Sequence, residues 1–314
     1  MLCSKESKIC IRKLSIVDNT LEMLGTPKKY RQLYSWLIGI ITGWISLALL
    51  VDISDIVWLN YEYFSITRIL VPFIGNYLDH VVNFNVLICG IMVGYTGSRF
   101  QRINEYIRDL CQQNTEQDKK RNELILVNQR RLETKKCKQY MWIIMHLHLQ
   151  LCSISRELNK VFSVQMTLQT AYYFVTCVDM SRQIYRIYID GNIASEIGQA
   201  IDNSSLFIFG FINNVKFIAL NYICQSLCDK ANETIAILYK LSNYNSDKDL
   251  NEQILQFILQ IKQRELKLSG MGLFYFGYNL IRKFYMSVAT VLVIIIQMSL
   301  PNSNHYIPPT NSTN

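Results

Sequence analysis

The sequence predicts an all-α, polytopic membrane helical bundle with cytoplasmic helical extensions, and three observations carry that prediction. Of its 314 residues 50% are hydrophobic and 18% charged, with a mean hydropathy of +0.12. That is too apolar for an ordinary soluble surface and too polar for a chain wholly in lipid. Five apolar segments, at about 35–58, 67–97, 163–188, 204–223 and 277–300, approach the ~20 helical residues that cross a hydrocarbon core. The basic residues are one-sided: residues 1–33, 98–160 and 225–275 hold 26 of the 32 Lys and Arg, while 59–66, 189–203 and 301–314 hold none. The positive-inside rule then places the N-terminus in the cytoplasm and, after five spans, the C-terminus outside. Topology accounts for the net charge of +8, and no nucleic-acid partner is implied.

Taken in order, residues 1–33 form a cytoplasmic segment without the apolar core of a signal peptide. Residues 34–97 hold two transmembrane helices, the second interrupted by Pro72, Gly75 and the pair Asp79-His80, which predicts a kink. Residues 98–162 are cytoplasmic. There Phe100, Ile103, Ile107 and Leu110 recur at helical spacing, so the spanning helix continues beyond the membrane, while 112–136 is polar without apolar period. Residues 163–223 hold two more spans. From 224 to 275, Ile235, Leu238 and Leu241, then Leu250, Ile254, Phe257, Ile258, Ile261 and Leu268, mark two amphipathic cytoplasmic helices divided by SNYNSD. Their stripes read as packing faces, which makes a cytoplasmic helical bundle beneath the membrane. Residues 276–300 are the last span and 301–314 an extracellular tail. The sequons at Asn203 and Asn311 fall on the outer side, where glycans attach, and the one at Asn232 falls inside.

Several chemistries find no support. The nine cysteines include no CxxC pair, and most lie in reducing cytoplasm or in spans, so neither a disulfide framework nor a metal site is expected. Cys224 and Cys228 are one turn apart without a third ligand nearby, and His146 and His148 point to different faces of a helix. The phosphate loop, the dinucleotide fingerprint, GxSxG and HExxH are all missing, so an enzyme is the weakest class and no cofactor is implied.

Charges inside the spans are more informative. Asp52, Asp55, Asp79, His80, Asp179, Arg182 and Lys216 fall in or near the membrane, where such groups either pair and snorkel or face a polar cavity. Asp179 and Arg182, at i and i+3, are placed to pair with each other. In the last span Ser287, Thr290, Ile294 and Gln297 recur at steps of three or four, a narrow polar stripe on an otherwise lipid-like helix. An amide unpaired in hydrocarbon costs several kcal/mol. Gln297 therefore either bonds to a neighbouring helix, the commoner use of such a stripe, or faces water.

The stretch QFILQIKQRELKLSGMGLFYFGYNLIRKFYMSVATVLVIIIQM at 256–298 resembles the C-terminal region of the insect gustatory receptor family. That family's last span reads Thr-Tyr, about five aliphatics, then Gln-Phe. Thr290 and Gln297 match at that separation, while Val291 stands for the Tyr and Met298 for the Phe. IMHLHLQLCSISRELNKVF at 144–162 and CQSLCDKANETIAIL at 224–238 resemble the approach to the family's fifth span and the exit from its sixth. VDNTLEMLGTPKKY at 17–30 resembles the lead into the third, so the five spans correspond to spans three to seven and the first two are expected to be missing.

The resemblance implies a ligand-gated, nonselective cation channel subunit that detects tastants or other small molecules at the plasma membrane of sensory neurons. It implies a homotetramer, or a hetero-oligomer with related subunits, in the lipid bilayer. Gln297, Thr290, Ile294 and Ser287 would then line the pore, Gln297 as a ring of neutral amides suited to weakly selective conduction. The ligand-binding residues are left unassigned. A truncated, non-conducting receptor fragment and a secondary transporter are the alternatives; no inverted repeat supports the transporter. The basic N-terminal side argues against a G-protein-coupled receptor.

Overall fold

The computed structural model describes residues 2–25, 30–59, 66–119, 127–189, 197–244 and 248–299. In chain order these form α1 (Leu2–Met23), α2 (Tyr30–Leu59), α3 (Ile66–Gly75), α4 (Tyr77–Lys119), α5 (Val127–Ile189), α6 (Ile197–Tyr244) and α7 (Lys248–Gln263). A two-stranded hairpin, β1 (Ser269–Gly270) with β2 (Phe274–Tyr275), precedes α8 (Tyr278–Ser299). At 1.5 Å per residue α4, α5 and α6 are roughly 65, 95 and 70 Å long, far beyond a ~30 Å hydrocarbon core. Most of each helix must therefore lie outside lipid. The apolar period seen in 100–110 predicts this continuation, and α4 runs unbroken through it.

Four described helices are long and apolar enough to cross a membrane: α2 at Leu37–Val57, α4 from Asp79, α6 from Phe207 and α8 at Tyr278–Met298. The fifth expected segment, 163–188, is the C-terminal part of α5 and is not among them. Gln165, Gln169, Asp179, Arg182, Gln183 and Arg186 dilute its hydropathy. The expected break falls at Asn76, between α3 and α4. Pro72 supplies no N–H, yet its carbonyl still accepts from Asn76 N at 2.8 Å, and Asn76 O accepts from His80 N at 2.9 Å. The backbone bends there without losing its ladder.

α1, the C-terminal halves of α4 and α6, the middle of α5, and α7 close into what we term the lower bundle. Its core includes Phe100, Ile107, Leu151, Leu238 and Phe257, all fully buried. In α7 the buried residues are Leu250, Ile254, Phe257, Ile258 and Ile261, the stripe that the sequence spacing marks. Residues 1–33 carried no helical expectation, but Cys10, Leu14, Val17 and Leu21 recur at steps of four and three and seat α1 on α5. Lys13 Nζ lies 2.6 Å from Glu157 Oε1. Gly25, at φ +87°, ends the helix in the left-handed conformation that glycine adopts without strain.

Polar clasps fix the register inside this apolar packing. Thr234 donates its hydroxyl to Asn104 Oδ1 at 2.7 Å, and Asn104 Nδ2 donates to Lys230 O at 2.8 Å, with Asn104 and Thr234 both fully buried. Thr234→Val keeps the volume but leaves a buried amide oxygen without its donor. We expect a loss of about 1–3 kcal/mol, read as a lower thermal midpoint of the purified protein.

The hairpin between α7 and α8 was not expected from the sequence. Met271 and Gly272 both have positive φ, and Leu273 N donates to Gly270 O at 2.9 Å, the geometry of a type I′ turn. Ser269 N donates to Asn159 Oδ1 at 3.1 Å, which pins the hairpin to α5. Gly270 sits where a Cβ would lie 2.6 Å from the Phe274 ring and 2.7 Å from Thr167 Oγ1, so both side chains pack over it only because it has none.

Candidate functional site

The site is built from α8 and from the polar groups that α2, α4, α5 and α6 bring together. At 22 residues α8 is roughly 33 Å long, enough for one crossing. Gly277 starts it: its carbonyl accepts from Leu280 N at 3.1 Å and Ile281 N at 3.3 Å. One face of α8 is held by its own chain. Phe284 stacks on Phe217 of α6 at 4.2 Å between centroids and meets the edge of Phe174 of α5 at 5.7 Å. Tyr285 donates its hydroxyl to Asn214 Oδ1 at 2.7 Å. Val288 is buried, and Val291 and Ile295 continue that face half-buried.

Ser287, Thr290, Ile294 and Gln297 lie roughly 110° around the helix from that face, at 3.6 residues per turn. All four are exposed. Thr290 returns its hydroxyl to Met286 O at 2.9 Å, which satisfies it within its own helix. Gln297 is exposed about two turns further on. The expectation that the stripe packs on a neighbouring helix therefore fails within the chain. The aromatic cluster around Phe217 and Phe284 captures a different face of α8, which turns the polar stripe outward.

A second polar constellation occupies the end of the spans nearest the α3–α4 break. His80 Nε2 lies 3.0 and 3.1 Å from the two carboxylate oxygens of Asp52, which is 3% exposed. Asn76 Nδ2 donates to Asp52 Oδ1 at 3.0 Å and to Asp55 Oδ2 at 2.8 Å. Tyr172 donates to Asp79 at 3.2 Å, and Arg182 pairs with Asp179 at 3.1 Å as the spacing predicts. In an apolar medium these contacts replace water around each charge.

Two cavities share a wall of Trp44, Asn83 and Lys216. The polar one, of about 30 Å³, reaches Asp79 and His80 and is water-sized. Its neighbour, about 260 Å³, is walled mainly by aliphatic residues of α2, α4 and α6 together with Tyr173. Asn83 Oδ1 is buried there with no hydrogen-bond partner among the described residues.

Of the residues singled out from sequence, the structure thus joins Asp52 to Asp55 through Asn76 and to His80 directly, and Asp79 to the wall that holds Lys216. It keeps the α8 stripe apart from them. Asn203 lies on α6, but its side chain, like the whole of Asn311, is outside the described residues. His146 stacks on Trp142 at the surface and His148 is buried, so they point to different faces as expected. Among the described residues no three His, Cys, Asp or Glu side chains are grouped to hold a metal ion. Asn76, Asn83 and Trp44 escaped the sequence reading because single amides and indoles carry no pattern; the break at Pro72 was the one local cue.

Three comparisons bear on this architecture. The fold is similar to that of the insect olfactory receptor OR5 from Machilis hrabei, with a TM-score of 0.57 at 13% identity, covering 95% of this chain and 77% of that one. Gustatory receptor 68a of Drosophila melanogaster is 23% identical over 146 residues, which are 46% of this chain and 36% of that receptor's length. A family model described as 7tm chemosensory receptor matches residues 4–302. With residues 4–302 matched, nearly the whole chain, the chain belongs to the 7tm chemosensory receptor family.

Proposed function

We propose that this chain is a subunit of a ligand-gated, nonselective cation channel that detects tastants or other small molecules at the plasma membrane of sensory neurons. The observation that carries this reading is the outward stripe of Ser287, Thr290, Ile294 and Gln297 on a helix whose other side is anchored to α5 and α6. A stripe presented away from its own subunit suits a symmetric assembly in which copies of α8 surround water. Four subunits would then set a ring of neutral amides at Gln297, hydrated by the pore, and so remove the cost of an amide in hydrocarbon. The N-terminus is cytoplasmic, the tail after α8 extracellular, and Asn203 and Asn311 are glycan acceptors. The small-molecule tastant occupies the larger cavity beside Trp44, Asn83 and Lys216, and related subunits can replace some copies of this one. The likeness to a gustatory receptor supports the taste assignment.

The test is to reconstitute the protein in lipid bilayers and compare wild type with Gln297→Glu and Gln297→Lys. A ring of carboxylates raises calcium over sodium permeability several-fold, and a ring of ammonium groups lowers cation conductance by about tenfold or more. Currents identical in all three would remove Gln297 from the pore.

A further inference from the structure

We propose that Asn221 is the positioning residue that transmits the state of the 260 Å³ cavity to the base of α8. This rests on the channel reading above for its functional meaning, and on geometry alone for the linkage. Asn221 is fully buried on α6. Its Nδ2 donates to Phe217 O at 2.9 Å, which fixes the amide on its own helix, and its Oδ1 accepts from Gly277 N at 3.0 Å. That N–H belongs to the residue whose carbonyl opens α8. Gly277 sits at φ +136°, a conformation strained for any residue with a Cβ, and a Cβ there would lie 2.1 Å from Gln225 Oε1. The start of α8 is thereby seated at one place on α6.

The same stretch of α6 walls the cavity. Lys216, Ala219, Leu220 and Ile223 line it, and Leu220 is the immediate neighbour of Asn221. Phe217, whose carbonyl holds the Asn221 amide, stacks on Phe284 of α8. A shift or rotation of residues 216–223 that accommodates a cavity occupant must therefore carry Asn221 with it. The bond to Gly277 then moves the first turn of α8, while the aromatic contact moves the second. Without the Asn221 amide the α6 contacts to α8 still include the Phe217–Phe284 and Tyr222–Tyr278 ring contacts and the Tyr285–Asn214 bond, none of which holds the Gly277 N–H. Coupling between sites requires such an element with two arrangements that both sites bias.

The experiment uses Ala219→Phe as a fixed cavity occupant, made alone and combined with Asn221→Leu or Asn221→Asp, and measures hydrogen exchange at residues 277–281. Ala219→Phe is expected to change exchange there about tenfold with Asn221 present. The change is lost with Asn221→Leu and retained with Asn221→Asp, which keeps the acceptor. No response of 277–281 to Ala219→Phe in the otherwise native chain overturns the proposal without needing any Asn221 variant to fold. A response that persists in Asn221→Leu overturns it too. In bilayers, Asn221→Leu changes open probability but leaves single-channel conductance as in wild type, since Asn221 is remote from the stripe. Failure of every protein to conduct while the exchange pattern holds would sink the channel reading and leave the linkage standing. Normal conduction with no exchange response would do the reverse.

Discussion

Arg99→Leu lowers the stability of the folded chain by about 3–5 kcal/mol, the cost of a buried charge left without its partner. Arg99 and Asp18 are 4% and 6% exposed, and Arg99 Nε lies 2.5 Å from Asp18 Oδ1 while Nη2 donates to Oδ2 at 3.1 Å. Tyr95 donates its hydroxyl to the same carboxylate, and its ring lies 4.2 Å under the guanidinium carbon. Removing Arg99 strands the Asp18 carboxylate among Leu14, Val17 and Leu21, so α1 should loosen first. Hydrogen exchange across α1, together with the thermal midpoint of the detergent-solubilised protein, reads both effects. The double variant Asp18→Leu/Arg99→Leu is expected to recover most of the loss, because two matched apolar groups need no pairing. A double variant as unstable as the sum of the two singles would show that the pair does not act as a unit.

The second large effect is an acid loss of stability centred on His148. The imidazole is completely enclosed between Phe100 and Phe257, whose rings lie 5.1 and 5.4 Å away. Its Nε2–H donates to Ala231 O at 3.2 Å, and the Cys152 thiol lies 3.7 Å from Nδ1. Burial pushes its pKa down to about 4; the Ala231 carbonyl opposes the shift and the Arg156 cation adds to it. Between pH 4 and the ordinary value near 6.5 the unfolded chain holds a proton that the folded chain excludes. Stability is therefore complete above about pH 6.5, falls as pH drops through that window, and is lost by about pH 4, a difference of roughly 3 kcal/mol. His148→Gln can keep a donor for Ala231 O while removing the titration. Thermal midpoints measured from pH 7 to 4 should then fall less steeply than in wild type. Parallel curves for the two proteins would place the acid sensitivity elsewhere.

Both effects arise in the lower bundle, and they show where the sequence was legible. The stripe Leu250, Ile254, Phe257, Ile258 and Ile261 could be read directly, as could Phe100, Ile103 and Ile107, because burial of a helix face imposes its 3.6-residue period on adjacent residues. The break near Pro72 was equally visible, since a missing N–H is a property of one residue. Partner choice has no such local trace. Asp18 meets Arg99 across 81 positions and Gly277 meets Asn221 across 56, and nothing near either residue names the other. The hairpin at 269–275 was hidden for a related reason. Its turn places Met271 at φ +51°, which a non-glycine residue adopts rarely, and docking against Asn159 and Thr167 supports it there.

The last helix divides the two contributions most clearly. Sequence alone determined that Ser287, Thr290, Ile294 and Gln297 share one flank of an apolar helix long enough to span a membrane, because spacing fixes azimuth whatever the surroundings. It could not determine what that flank faces. Only the tertiary structure decided it: Phe217 and Phe174 bury Phe284, and Asn214 takes the Tyr285 hydroxyl, so another face of α8 is used within the chain and the polar stripe is turned out. Azimuth is a local property of a helix, whereas the side it buries is settled by whichever neighbours remove the most apolar surface from contact with solvent and leave fewest polar groups unpaired.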